Sequence, residues 1–350
     1  MFNKRSHRGV LLFTPVLSSL AVLASASMIP PDIASQYSLS TSTTLPFPSS
    51  TQSNSDTQDT ILQGWSISRG RIQQGTKNIA FVPDPFPDYQ LPSSASFPSP
   101  SGPVLQVTYP SGGSGSSGSG AQFYSLWNST GAAFKSMLLS YEVAFDSRFD
   151  WVQGGKLPGL RGGPDPNTCD GGSQSDGTCF STRIMWRKSG DGEVYAYILN
   201  PNNLCSDQNV QCNDDYGISF GRGDFRLQAG KWNRISLLVQ LNGEAQIANG
   251  QIQVFYNDVL AITHQNLQFH GTFDLSIGGL FFSTFYGGSD SSWAPSNTTH
   301  AYFRNVQLWG GSSASSLTEQ KGNGVPSAPS LSHLLTSFIL FMMCFLRWLT

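Results

Sequence analysis

The chain has 350 residues, with 20 Lys and Arg against 22 Asp and Glu, a formal charge of −2. Four of the cations (Lys4, Arg5, Arg8 and Arg347) lie in the terminal segments, and without them 16 basic residues face 22 acidic ones, a charge near −6. That balance excludes a global basic field for nucleic acid, so affinity for an anionic partner must come from a local cluster.

Residues 1–26 read as a secretory signal. Lys4, Arg5 and Arg8 precede an apolar run from Val10 to Ala24, and Ala24-Ser25-Ala26 supplies small residues for cleavage. A transmembrane anchor is the alternative, which the short, Pro-interrupted run disfavours. Residues 27–60 are rich in Ser, Thr, Pro and Gln and read as a disordered or glycosylated lead-in. Residues 61–310 carry nearly all the Trp, Tyr and Phe and have a length suited to one domain. A polar linker, 311–333, holds Gly322, Asn323 and Gly324, then a spacer ending at His333; an apolar tail, 334–350, follows. Small site, spacer and short tail are the order of a GPI signal; a simple hydrophobic tail or a tail anchor is the alternative.

Within 61–310 the repeating unit is a short strand and a turn. Strands are predicted at 104–109, 121–127, 136–146, 234–241, 250–262, 275–286 and 301–309, with a hairpin over 181–199. The run "SGGSGSSGSG" at 111–120 reads as a flexible surface loop and matches no phosphate-binding pattern. Helical periodicity is scarce and the connections are hairpin-length. The fold expected is therefore all-β: an antiparallel β-sandwich of jelly-roll type, whose concave face is a usual seat for carbohydrate.

Cys344 falls in the tail, and the other cysteines form two close pairs, Cys169/Cys179 and Cys205/Cys212. Two disulfides fit an exported chain; three connectivities exist, and proximity favours the neighbours. Zinc is the rival use, but no His lies among these cysteines at ligand spacing. His264, His270 and His300 also lack metal spacing, so no metal and no cofactor are expected. Asn128 and Asn297 head glycosylation sequons.

Chemistry concentrates in "GGKLPGLRGG", 154–163, and "STRIMWRKSGDGEVYAYIL", 181–199. The first reads as a Gly-rich loop that presents Lys156 and lets backbone approach a ligand. In the second, Ser-Gly-Asp-Gly at 189–192 supplies a turn. If the hairpin folds about Ser189, Arg183 lies opposite Tyr195 and Ser181 opposite Tyr197, all on one face. Half-buried sheet aromatics are the ordinary use of such tyrosines. Their coincidence with Ser181 and Arg183 asks for more.

Four segments in order, "GGKLPGL", "CFSTRIMWR", "GEVYAYIL" and "FFSTFYGGSDSSWAP", resemble polysaccharide lyase family 14, which includes alginate and glucuronan lyases. The resemblance spans about residues 140–310. It implies a β-jelly roll and an active centre of Lys156, Ser181, Arg183, Tyr195 and Tyr197. The Cys-rich stretch 164–180 and the Gly/Ser run 111–120 depart from the family pattern and put the preferred sugar in question.

The implied reaction is β-elimination at a 1,4-linked uronate. Removing the C5 proton builds an enolate beside a carboxylate, so Arg183 and Lys156 are expected to offset charge. Tyr195 and Tyr197 are candidates for proton transfer; Lys156, if desolvated, is the rival base. Ser181 is expected to orient substrate. Ser283, Tyr286, Asp290 and Trp293 could line sugar subsites, Trp293 by stacking, with a capped turn as the bland alternative. Arg161 and Arg187, with Arg148, could extend a cationic path. The partner expected is an anionic polysaccharide met by a monomeric, secreted chain, with no nucleic acid and membrane contact only through the GPI anchor. A non-catalytic carbohydrate-binding jelly roll is the second reading. A glycoside hydrolase, which needs two carboxylates, is the third; Glu193 is expected on the Val194 side of the turn or in the turn itself, away from the active face.

Overall fold

A computed structural model describes residues 27–318 except 93–94, 128–132, 165–167, 172–174, 202–203, 214–215, 272–273 and 289. The signal segment, the GPI site, the apolar tail and Asn128 lie outside the described residues. In chain order come helix α1 (Pro30–Gln36), strand β1 (Thr41–Thr44), helix α2 (Asn54–Gly64), β2 (Ile79–Val82), β3 (Val104–Tyr109) and β4 (Ala121–Leu126). Next are β5 (Ser136–Phe145), β6 (Gly154–Gly162), β7 (Phe180–Arg187), β8 (Asp191–Tyr197), β9 (Val210–Gln211) and β10 (Ile218–Arg226). The last five are β11 (Trp232–Gln240), β12 (Gly250–Tyr256), β13 (Val259–Leu267), β14 (Ile277–Tyr286) and β15 (Thr299–Gly311).

The strands form two antiparallel sheets. One runs β13-β12-β11-β5-β15-β3-β2, with β1 also on β15; the other runs β4-β14-β6-β7-β8-β10-β9. Their inner faces share one core, which includes Val143, Phe145, Leu157, Ile184, Trp186, Val194, Ala196, Leu237 and Phe303. Alternation along each strand sends every second residue there and leaves its neighbours on the outer face. The expected sandwich is the observed fold.

Four local expectations need correction. Residues 27–60 are not a disordered lead-in. Pro opens α1, Ser53 caps α2 by accepting from the Asp56 N–H, and Ile33 and Ile61 are fully buried. A few well-spaced apolar residues suffice here because a sheet face is already waiting for them. The Gly-rich segment 154–163 is not a loop but strand β6. Its glycines make room: a Cβ on Gly155 would stand 2.1 Å from the Trp186 ring, and one on Gly159 only 1.8 Å from the Thr182 carbonyl. The Gly/Ser run 111–120 contains one helical turn, Gly115–Gly118. The segment 250–262 is two strands, turned at Asn257 and Asp258, both at positive φ.

Candidate active site

The hairpin behaves as its sequence predicts. Ser189 and Gly190 make the turn at φ 61° and 83°, and the register pairs Arg183 with Tyr195 and Ser181 with Tyr197. These side chains leave the core and join a second apolar cluster of Cys169, Cys179, Met185, Tyr195 and Tyr197 on the outer face.

Lys156 reaches that face through an irregularity. Lys156 and Arg161 are five residues apart, so a regular strand would send them to opposite faces. The register of β6 on β7 slips between Leu157 and Gly159, at Pro158, so that Lys156 lies opposite Met185 and Arg161 opposite Ser181. Pro158 cannot donate to the ladder and is tolerated at such a bulge; its carbonyl accepts from the Tyr141 hydroxyl of the facing sheet at 3.1 Å. The bulge therefore brings two cations onto one face.

The face then reads as rows across the strands. Tyr124, Phe281, Gly159, Arg183, Tyr195 and Ser219 form one row. Phe285, Lys156, Met185 and Glu193 form the next, a two-residue step or about 7 Å away. Glu193 is thus on the face of Tyr195 and Tyr197, not on the Val194 side as expected; alternation from Tyr195 already required this. It is a single carboxylate held by Arg187 and Arg222, not half of a hydrolase pair.

Lys156 Nζ stands 4.8 Å from the Tyr195 ring centroid and 5.5 Å from that of Phe285. Burial against these rings, then the charges of Arg183 and Arg187, push its pKa well below 10.5, with Glu193 and Asp170 opposing. The Tyr195 phenol moves the other way, raised by burial and by Tyr197. The two rings meet edge to face at 5.7 Å, and the Tyr195 oxygen accepts from the Gly217 N–H at 3.0 Å.

Arg183 is fully buried, at 0 % exposure. It donates to Ser283 Oγ at 3.2 Å and to the Asp170 carbonyl at 2.9 Å, and stacks 4.6 Å from the Phe281 ring centroid. Ser181 donates to the Cys169 carbonyl. Both residues are thus held by the segment that the Cys169–Cys179 disulfide pins to the sheet. The second expected disulfide, Cys205–Cys212, is present as well.

The expected subsite residues divide. Arg187 lies on the outer face, partly exposed. Arg161 is buried with its guanidinium 5.1 Å from the Tyr124 ring centroid, and Ser283 is buried between Arg183 and Gln122, so neither faces solvent. Tyr286 belongs to the inner core and donates to the Asp150 carbonyl. Asp290 caps the short turn Ser291–Trp293 through the Ser292 N–H, and half-buried Trp293 packs on Gly288. The turn is capped, as in the bland alternative, but Trp293 is not fully buried. Asn297 is exposed. Among the described residues no three His, Cys, Asp or Glu side chains gather as a metal site requires.

Sequence reasoning missed Glu193 on this face, Arg222 and Tyr216. Strict alternation reveals the first. Arg222 sits in a bulge where register is lost between Phe220 and Phe225, and nothing in the sequence aims it. Tyr216 is 51 % exposed beside Gly217.

A jelly roll whose outer face gathers cations and phenols is suited to acidic carbohydrate polymers. The family model for polysaccharide lyase 14 matches residues 98–306. The chain belongs to that family and is a polysaccharide lyase. The alginate lyase of the same family from Aplysia kurodai is 33% identical, covering 77% of this chain and 100% of its own, with a TM-score of 0.63. The Chlorella virus alginate lyase is 25% identical over 60% of this chain and 85% of its own, with a TM-score of 0.50. An alginate lyase variant solved with an alginate trisaccharide shares the fold at 18% identity and a TM-score of 0.54, covering 78% of this chain and 99% of its own. Among curated proteins no match is found.

Proposed function

We propose that the chain cleaves a 1,4-linked polyuronate, of the alginate or glucuronan class, by β-elimination, with Lys156 as the base. The observation that carries this reading is the placing of Lys156 Nζ among aromatic rings and beside Arg183 and Arg187, which favours a neutral amine. A free phenol is a poorer base here, because burial holds Tyr195 protonated. The expected preference for tyrosine as base gives way on these grounds.

In this scheme neutral Lys156 takes the C5 proton, the electron pair forms the C4–C5 double bond, and the C4–O4 bond breaks. Tyr195 protonates the departing O4, and the Lys156 ammonium then returns its proton to the Tyr195 phenolate, so the site resets. Tyr197 shares the Tyr195 hydrogen bond. Arg183, being buried, acts through its charge and by bracing the aromatic floor, not by touching the sugar. The partly exposed Arg187 is a cation open to a carboxylate.

The same reading holds that the chain is exported, glycosylated at Asn297 and retained at the cell surface by a GPI anchor; the two disulfides suit that compartment. Incubation with polymannuronate, polyguluronate and polyglucuronate tests the chemistry. Ultraviolet absorbance from unsaturated ends should grow with at least one polymer. Binding with no absorbance gain would leave a carbohydrate-binding protein, and new reducing ends without it a hydrolase.

A further inference from the structure

Glu193 is wholly buried on the outer face, yet its carboxylate serves two cations. Oε1 accepts from Arg187 Nε at 2.9 Å and Nη2 at 2.5 Å; Oε2 accepts from Arg222 Nε at 2.5 Å and Ser219 Oγ at 2.8 Å. All four lone-pair directions are filled. One arginine with Ser219 would have satisfied a structural carboxylate. Arg222 reaches that buried carboxylate with its own side chain 37 % exposed, so its guanidinium stays partly open to solvent.

The backbone nevertheless goes out of its way to place Arg222. Strand β10 leaves the ladder after Phe220 and rejoins it at Phe225, with Gly221 at φ 59° and Gly223 at φ 89°. A Cβ on Gly221 would stand 2.6 Å from the Asp224 carboxylate and 2.8 Å from Ile262, so the excursion requires glycine there. The outcome is two guanidiniums, +2 against −1, fixed in orientation by one buried anion. Each guanidinium has five N–H donors and commits only some of them to Glu193 and Ser219. The remainder form a rigid fork of the sort that matches a carboxylate.

Its place on the grid gives the fork a neighbour. Glu193 shares a row with Lys156, two strands away or about 10 Å, and Arg187 lies one step beyond Met185. We propose that Arg187 and Arg222, locked by Glu193, form a carboxylate-binding subsite that takes the uronate adjoining the one at Lys156. The inference rests on the polyuronate reading above and adds a second point of charge recognition to it.

The test measures equilibrium binding of polymannuronate, polyguluronate and polyglucuronate, and of each polymer with its carboxyls reduced to alcohols, in a Lys156→Ala background whose turnover is too slow to deplete them. Arg222→Gln should raise Kd for the acidic polymer about tenfold and leave the reduced polymer unchanged, with Arg222→Lys recovering part of the loss. Equal weakening toward both polymers, or none toward the acidic one, overturns the subsite. Thermal unfolding of each variant separates misfolding from lost recognition. The two readings fail separately. Unsaturated product from the wild type with Arg222-independent binding removes only the subsite. Arg222-dependent binding without product removes only the lyase chemistry. Neither binding nor product removes both.

Discussion

The outer faces of the two sheets carry the same kinds of residue to opposite ends. On the first sheet, Arg234, Glu142 and Arg304 sit in one row across β11, β5 and β15. Asp258 and Asp84 complete the set, with Arg234 2.8 Å from Asp258 and Arg304 2.7 Å from Glu142. Two arginines meet three carboxylates, and Phe97 and Ser99 close over them. Burial alone would raise the Glu142 carboxyl, but Arg304 and Arg234 bring it below its ordinary value. On the second sheet, Arg187 and Arg222 pair with Glu193, while Lys156 and Arg183 stand nearby with Asp170 as the further carboxylate whose charge reaches them. Arginines wholly matched by carboxylates mark a face that only has to hold together. A cation surplus marks one waiting for an anion.

Breaking the surplus should cost activity, and breaking the matched pairs should cost stability. Lys156→Ala is expected to lower kcat about 10³-fold, the reach of a general base, while the melting temperature stays near wild type. Product-release kinetics and thermal unfolding, run together, check both halves. Glu142→Gln is the mirror experiment. It removes the carboxylate that Arg234 and Arg304 share, leaving each with one aspartate, and should destabilise the fold by about 3 kcal/mol, with the folded fraction retaining normal turnover. Denaturant unfolding measures this; a stable variant would mean the row is solvated after all.

The two faces also differ in how much of them the sequence discloses. The hairpin's register follows from its turn, so the quartet of Ser181, Arg183, Tyr195 and Tyr197 is legible from alternation alone. The same alternation, followed to Glu193, puts that carboxylate among them. The bulge at Pro158 is less legible, because a glycine-rich string says only that a backbone is crowded or free. Here it is crowded, by Trp186 and Thr182. Least legible are contacts set by distant chain: the carbonyls of Cys169 and Asp170 on Ser181 and Arg183, and the excursion that lays Arg222 over Glu193. Composition misled over residues 27–60, where a polar average concealed Ile33, Leu39 and Leu45, each docked on the domain.

The disulfides offer a smaller, internally controlled contrast. Cys169–Cys179 and Cys205–Cys212 span 10 and 7 residues, so removing either should cost similar stability, about 2–3 kcal/mol. Only the first restrains the carbonyls that hold Ser181 and Arg183. Replacing both its cysteines with serine should cut kcat about tenfold, an expectation for slightly misplaced groups, with much less effect from the same change at Cys205 and Cys212. Equal losses at the two sites would show that activity follows stability alone.

The smallest effect is the most discriminating, because its sign reverses within one ion cluster. Lys156 must be neutral to act, so kcat/KM should rise with pH through its depressed pKa and stay high while Tyr195 remains protonated. Burial contributes most to that depression, and Arg183 and Arg187 add to it, while Glu193 and Asp170 oppose it. Arg187→Gln removes a cation and loosens the Glu193 carboxylate, and both changes favour the ammonium; the rising limb should move to higher pH by about half a unit. Glu193→Gln removes the anion and should move it to lower pH. Steric damage to the groove would lower the whole profile without choosing a direction. Opposite shifts from two partners in one salt bridge require a titrating group that feels both charges, and since Tyr195 would shift in the same sense, loss of the rising limb in Lys156→Ala is what assigns it to Lys156.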